Sequence, residues 1–548
     1  MLENFDPNTI EDGAVRQVVV YLMNELEKER AINLERAEEI QRLRDEVNRL
    51  KGEQGKPKIK GNKPNPDLSS EKQRQESKPH QKSSKQAHIK IDREEIVKVD
   101  HGQLPSDAVF KGYQKVVIQN IVFRTENILF RKEKYYSKSQ RQTYLAELPA
   151  GYHGQFGPGV QAWVLTLYHE GGMSEPKILE VLQTVGLQIS AGQLSDMLIK
   201  GQEVFHTECA DIVRAGLESS PWQHLDSTGT RVNGINQHCN VLCNPLYTFY
   251  CTTPYKDRLS MLRVLLGGVD PLFHFGAFAL TLMEQLGVSD KWRTKLSTLL
   301  REEQIFTEEQ IERILASKLP NLGPTVRKNV KDALAIAAYR MQTNYPVVAL
   351  LLCDDAPQFN VLTVELALCW IHEFRHYKKL QPRFTHHLTL LQEFGTAFWK
   401  LYQDLLDYRT HPTPDQVAVL QTSFDQLFGK PSGYQQLDEC KERTLKKREQ
   451  LLMVLSHPEI LLHNNPAELG ARARVRKRDV SLQARTPEGI GAWDTFQTLV
   501  GTANKLGVNL FRYFFDRITH AYALPSLASL IQERAASLDL GFSWQPSP

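Results

Sequence analysis

At 548 residues the chain exceeds what a single hydrophobic core organises, so three or four domains or modules are expected. A formal net charge of +3 leaves almost no global field, and any affinity for nucleic acid must come from local basic clusters. None of the seven cysteines forms a C-x-x-C pair, which argues against a zinc ribbon or a disulfide framework and for reduced, mostly buried thiols. The polar, acidic N-terminus is no signal peptide, and apolar runs such as Val347 to Cys353 are too short to span a bilayer. A soluble intracellular protein is expected.

From Val15 to Leu50 apolar residues recur in 4-3 steps: Val15, Val19, Leu22 and Leu26, then Ile40, Leu43, Val47 and Leu50. Glu29, Asn33 and Arg36 fall on the same seam, and such a polar middle can fix register and partner number. Residues 1–53 are therefore predicted to be a coiled coil that makes a homodimer or higher oligomer; a lone helix packed on its own protein is the alternative. Residues 54–92 hold scarcely an aliphatic side chain, with ten Lys/Arg against three acids between Lys56 and Lys90. That composition predicts a disordered basic linker, either plain or in loose contact with DNA. In residues 93–150 the clusters Val116 to Phe123 and Ile128 to Phe130, separated by Thr125-Glu126-Asn127, suggest a small hairpin module. Residues 151–210 read as three helices, opened by Pro158, by Ser174-Glu175-Pro176 and by Ser190, with Gly186 closing the second. The last two have helix-turn-helix spacing, which makes this a DNA-binding module or plain scaffold.

Strand signals concentrate between Trp222 and Thr253. Asp226 lies inside the first strand, Asn233-Gly234 is a type I′ hairpin turn, and Asn244-Pro245 precedes the third strand. Asp257 to Leu266 reads as a helix. The run Pro346 to Cys353 is a central strand buried on both faces and ends in Asp354-Asp355, where ligands bind in open sheets. Asp354, nearer the sheet, is the better ligand of the two. A strand from Glu365 to Ile371 follows. Further on, Asn465 reads as a helix N-cap, Pro466 as the first helical residue and Glu468 as a first-turn carboxylate. Glu468 alone would only complete a capping box. Arg472, Arg474, Arg476, Lys477 and Arg478 come directly after it, as suits a helix that holds a metal against a phosphate backbone. Three antiparallel strands, a helix, a buried strand ending in Asp, a further strand and an acidic helix are the order of a ribonuclease H-like α/β fold. In that fold Asp226, Asp354 and Glu468 converge and can bind Mg²⁺ through hard oxygen ligands for two-metal phosphoryl transfer.

Asp226-Ser-Thr-Gly-Thr-Arg-Val-Asn-Gly234, Asp354-Asp-Ala-Pro-Gln-Phe-Asn360, Cys369-Trp-Ile-His372 and Asn464-Asn-Pro-Ala-Glu468 resemble the motifs of the insertion sequence 66 family of DDE-type DNA transposases. Trp493 to Arg517 resembles the helical continuation of that family. The resemblance implies Asp226, Asp354 and Glu468 as a catalytic and metal-binding triad with two Mg²⁺ (or Mn²⁺). It also implies double-stranded transposon ends and target DNA as substrates, accessory element-encoded proteins as partners, and a place in the bacterial cytoplasm with the nucleoid. Arg231, His372 and Arg375 join the five cations after Glu468 as expected DNA contacts. The chain departs from the family pattern in three ways. Residues 54–208 hold no cysteine, so no structural zinc is expected; residues 211–530 carry helical insertions at 268–345 and 381–462, the second with Arg443, Lys446, Lys447 and Arg448 facing a DNA channel or solvent; and Leu469-Gly470 replaces a basic residue. Residues 531–548 read as a tail.

Overall fold

Helix α1 (Gly13–Leu50) does not stand apart from the rest of the protein. The structure is a computed structural model that describes residues 2–51, 90–538 and 540, except 101, 103, 106, 122–124, 153, 301 and 302. Most of the expected basic linker and the end of the expected tail lie outside the described residues. Met23 and Glu27 of α1 are buried. The Glu27 carboxylate accepts the backbone N–H groups of Arg383 (2.5 Å) and Phe384 (3.2 Å) and lies 3.6 Å from His387 Nδ1. The Asn24 side chain donates to the Gly433 carbonyl and accepts from Gln435 N–H, both at 3.0 Å. One face of the N-terminal half is thus docked on the chain's own helices, the alternative the sequence left open. The apolar seam is a different face and, half-buried Val19 apart, its apolar residues stay exposed.

The expected hairpin forms, but at another place. Strands β1 (Lys134–Ser137) and β2 (Gln142–Leu145) pair antiparallel, with Tyr135 opposite Tyr144. Val116, Ile118, Ile121 and Leu129 are exposed and lie in no strand, whereas Val122 and Phe123 fall outside the described residues. Without an opposing layer to cover them, these apolar residues gain little from pairing, and the hydrogen-bonded hairpin forms in the later segment instead.

Helices α2 (Pro158–Leu165), α3 (Glu175–Thr184) and α4 (Ala191–Ile199) start where the sequence places them. Ser190 and Gln193 complete a capping box at α4, and a π-helical turn, Thr166–Glu170, continues α2. With α5 (Glu203–Glu218) these helices share one hydrophobic core with the sheet that follows.

The meander is β3 (Trp222–Val232), β4 (Ile235–Cys243) and β5 (Thr248–Thr253). Asn233 (φ 47°) and Gly234 (φ 78°) both take the left-handed conformation that a type I′ turn requires. Then come α6 (Arg258–Leu265), β6 (Phe273–Phe275), α7 (Ala277–Gln285), α8 (Asp290–Leu299), β7 (Gln304–Phe306), α9 (Glu308–Lys318) and α10 (Pro324–Met341), with β6 and β7 forming a separate ribbon. The apolar run before Asp354 is hydrogen-bonded as a strand only in β8 (Leu350–Cys353). Strand β9 (Glu365–Leu368) stops short of the expected Ile371 because α11 (Trp370–Lys378) begins there. The main sheet has the order β5-β4-β3-β8-β9, with β8 and β9 parallel to β3. Between this sheet and the acidic helix lie α12 (Thr385–Thr410), α13 (Pro414–Gly429), α14 (Gln435–Leu445) and α15 (Arg448–Leu451). Helices α16 (Asn465–Ser481) and α17 (Pro487–Leu506) then cover β3, β4 and β5, and α18 (Leu510–Ile518) and α19 (Leu527–Ser537) finish the chain. Among the described residues no helix is long and apolar enough to cross a membrane.

Candidate active site

The site is set by how α16 is attached to the sheet. Asn464, not Asn465, is its cap residue, and the Asn464 side chain makes no capping bond. Instead, buried Asn464 donates to the Leu225 carbonyl (2.8 Å), its Oδ1 meets His224 Nδ1 (3.0 Å), and its N–H lies 3.2 Å from Cys369 Sγ. One asparagine therefore joins β3, the end of β9 and the helix start, one turn before Glu468. Gly470 brings the helix down onto β4: a Cβ there would stand 2.6 Å from Val241 Cγ1. That contact gives the Leu469-Gly470 departure a steric reason.

Three carboxylates face one another where these elements meet. Trp222, Gln223 and His224 of β3 pair with Leu350, Leu351 and Leu352 of β8, and continuing that register by two residues sets Asp226 beside Asp354. Burial pushes the Asp226 carboxyl up to about 6; the Asp354 and Glu468 carboxylates push the same way, against the Ser227 N–H and Lys256. Asp354 Oδ1 accepts from Ala356 N–H at 3.2 Å. Glu468 is buried, with both carboxylate oxygens 3.3 Å from Arg375, His372 Nε2 at 3.6 Å and Arg472 at 3.8 Å. Arg375 and His372, expected from the sequence as DNA contacts, thus border the site on the Glu468 side.

Asp355 belongs to a second cluster. Its carboxylate lies 2.6 Å from Lys447 Nζ and 3.4 Å from His376 Nε2. Lys447 also reaches Glu373 (2.9 Å), which accepts from Thr444 at 2.5 Å. Asp355, Glu373 and His376 are close enough together to hold a cation. The Lys447 ammonium already lies between two of them. His376 and Lys447 hold Asp355 well below the usual carboxylate range. Two other cations of that stretch also have partners nearby, Arg448 on Asp425 (2.7 Å) and Lys446 on Glu442 (2.8 Å).

The cations after Glu468 divide by helical phase. Arg474 and Lys477 turn inward, which overturns their expected role as DNA contacts. Arg474 is fully buried, pairs with Asp494 and lies over the Tyr250 and Trp493 rings. Asp494 in turn accepts from Thr252 N–H (2.7 Å) and hydroxyl (2.9 Å) on β5. Lys477 donates to the Tyr168 carbonyl (2.8 Å), and burial with Arg474 nearby lowers it to about 6. Arg472 is half-buried beside Glu468 and Arg476 is exposed. Arg478 donates to the Gly229 carbonyl at the rim of a groove of about 840 Å³, also lined by Arg231, Asn236, His238 and Gln483.

Residues 153–248 and 336–492 match the family described as Transposase IS66 family. The intervening 249–335 overlap the first expected insertion, whereas 381–462 lie inside the matched stretch, so α12 to α15 are part of the family domain. The chain is also similar to the uncharacterized protein y4jO of Sinorhizobium fredii, 27% identical over 329 residues, which cover 59% of this chain and all of that protein. All three carboxylates and the Asn464 anchor fall inside the matched segments, and the chain belongs to the IS66 transposase family.

Proposed function

We propose that this protein is a DDE-type DNA transposase with a ribonuclease H-like core, in which Asp226, Asp354 and Glu468 hold two Mg²⁺ or Mn²⁺ ions. The observation that carries the reading is the half-buried Asp226 carboxyl, which the β3–β8 register sets beside Asp354 and which is pushed up to about 6 in the company of Asp354 and Glu468. Carboxylates so placed repel one another unless a proton or a cation joins them. Three carboxylates are a hard-oxygen donor set, which fits Mg²⁺ or Mn²⁺ rather than a thiophilic metal. The ions, when bound, lower the cost of deprotonating a nucleophile and of charge on the leaving oxygen.

The remaining work falls to the chain. Asn464 and Gly470 fix the first turns of α16, so Glu468 meets the strand ends without reorganising. Arg375 and His372 are placed to receive a phosphodiester beside Glu468. The groove at the β3–β4 turn continues from the strand that carries Asp226, and Arg231 and Arg478 there suit backbone phosphates further along the duplex. Cleavage at an element end, with water attacking phosphorus and the P–O3′ bond breaking, frees a 3′-hydroxyl; that hydroxyl then attacks a target phosphodiester in line and displaces the target strand's own 3′-oxygen.

The test is a labelled duplex carrying the ends of the element that encodes the protein, incubated with target plasmid and Mg²⁺ or Mn²⁺. Joining of label to plasmid by the wild type, lost in Glu468→Gln, is the expected result. Cleavage without joining would leave a nuclease. Neither reaction, with no Mn²⁺ binding, would refute the triad.

A further inference from the structure

The end of α16 holds a leucine in a conformation that leucine avoids. Leu482 follows the last helical residue with φ 62° and ψ −73°, and Gln483 N–H donates to the Ser481 carbonyl at 2.8 Å. Those angles and that bond make the rare form of γ-turn, strained for a residue with a bulky side chain. Helices that end on a positive φ usually place glycine there. Leu482 gains little from packing in return, being 74% exposed. An exposed leucine alone needs no account. One that is strained as well does, because such strain persists only where the surroundings impose it.

The surroundings are a clamp between α16 and the β3–β4 turn. Gln483 Oε1 accepts from Gly234 N–H (2.7 Å), the Ala484 carbonyl accepts from Asn233 N–H (2.9 Å), and Ala484 forms a parallel bridge with Val232. Leu482 N–H is held in turn by the Arg478 carbonyl at 2.8 Å. Fixed on both sides, the chain passes from helix to strand edge through the single residue Leu482. Leu482 lines the groove that also contains Arg231, Arg478, Asn236 and Gln483. Among the described residues that line it, Asp479 is the single acid. Arg476 and Arg485, close by in the chain, are exposed. A polyanion fits such a rim, yet a leucine among the cations gains nothing from phosphate. What suits it is the stacked interior of a duplex, where an apolar side chain enters a base step while flanking cations hold the backbone.

We propose that Leu482 is a wedge that enters one base step of the bound end duplex and unstacks it, with Arg231 and Arg478 on phosphates beside it. The inference rests on the transposase reading above and adds the place where the DNA is deformed. Val232, which Ala484 bridges, lies six residues along β3 from Asp226. That is about 20 Å at the rise of a strand, or about six base pairs of duplex. Unstacking costs least at a pyrimidine–purine step.

The test uses the full chain and end duplexes carrying 2-aminopurine at successive positions, without divalent metal so that the DNA stays intact. Wild type should raise the fluorescence about twofold or more at one step, about six base pairs from the cut. Leu482→Gly should abolish the rise, lower affinity by less than about tenfold and leave its salt dependence unchanged. Leu482→Met should keep the rise. Leu482→Gly should also melt no lower than wild type, because glycine takes this backbone without strain. A clear drop in melting temperature would give the leucine a packing role and overturn the inference. Ends bound and joined with no fluorescence change at any position would overturn it too, and would leave the transposase reading standing. Unstacking without joining, once metal and target are added, would support the wedge and count against strand transfer. Ends neither bound nor joined would overturn both.

Discussion

Asp354 and Asp355 are neighbours in sequence and sit in opposite electrostatic settings. Asp355 joins Glu373 and His376 around the Lys447 ammonium, which supplies an internal counter-charge. Asp354 joins Asp226 and Glu468, where one carboxyl is pushed up towards neutrality even though Arg375 and Arg472 lie beside Glu468 and the Lys256 charge acts on Asp226. Proximity of carboxylates alone would favour the Asp355 cluster as a metal site. Charge balance favours the other: a divalent cation gains most where the protein's own cations still leave a carboxyl pushed towards neutrality, as at Asp226.

The largest effect that would test this contrast is on metal affinity. Asp226→Asn or Glu468→Gln should weaken Mn²⁺ binding, measured by titration calorimetry, by more than ~100-fold, beyond what loss of an outer-shell partner costs. Thermal stability without metal should stay the same or rise, since mutual repulsion is removed. Retained affinity would shift the site to the Asp355 cluster. Next comes Lys447→Met, which leaves buried Glu373 facing Asp355. A loss of about 3 kcal/mol in denaturant unfolding is expected, the low end for a broken buried pair because Asp355 is partly exposed.

A smaller effect separates the two faces of α16. Lys477 is lowered from 10.5 to about 6, so between those values the unfolded chain holds a proton that the folded chain lacks. Stability from this group is complete above 10.5 and is lost as pH falls towards 6. Melting temperature should therefore climb by a few degrees from pH 6 to 9, and Lys477→Met should flatten the climb, as differential scanning fluorimetry would show. The smallest change belongs to Asp355→Asn. It should cost no more than ~1 kcal/mol and keep Mn²⁺ binding, whereas Asp354→Asn abolishes it.

Much of this was legible in the chain. The alternation around Asp226, the Asn233-Gly234 turn and the apolar run before Asp354 are local signals, and the strands formed there. Helix starts at Pro158, Glu175 and Ala191 also followed from caps. What could not be read was how α16 is turned. Five cations in seven residues look alike in sequence, but a helix laid on a sheet must bury some of them, and Gly470 decides which by setting the contact face. Asn464 was equally hidden: sequence alone sets the cap on Asn465 and leaves Asn464 no role beyond its place in the motif, since the strand it reaches is not known from it. Its only advance signal was His224, a polar residue on the buried side of β3 two positions before Asp226.

Helix α14 has a consequence beyond its own packing. At its first residue, Gln435 N–H is held by Asn24 of α1, and near its last turn Thr444 holds Glu373 within the Lys447 cluster beside Asp354. Eleven residues, about 16 Å of continuous helix, thus form a strut from the N-terminal helix to the edge of the strands that carry Asp226 and Asp354. The docked half of the N-terminal helix and the loop that carries Asp354 are, mechanically, two ends of one rod.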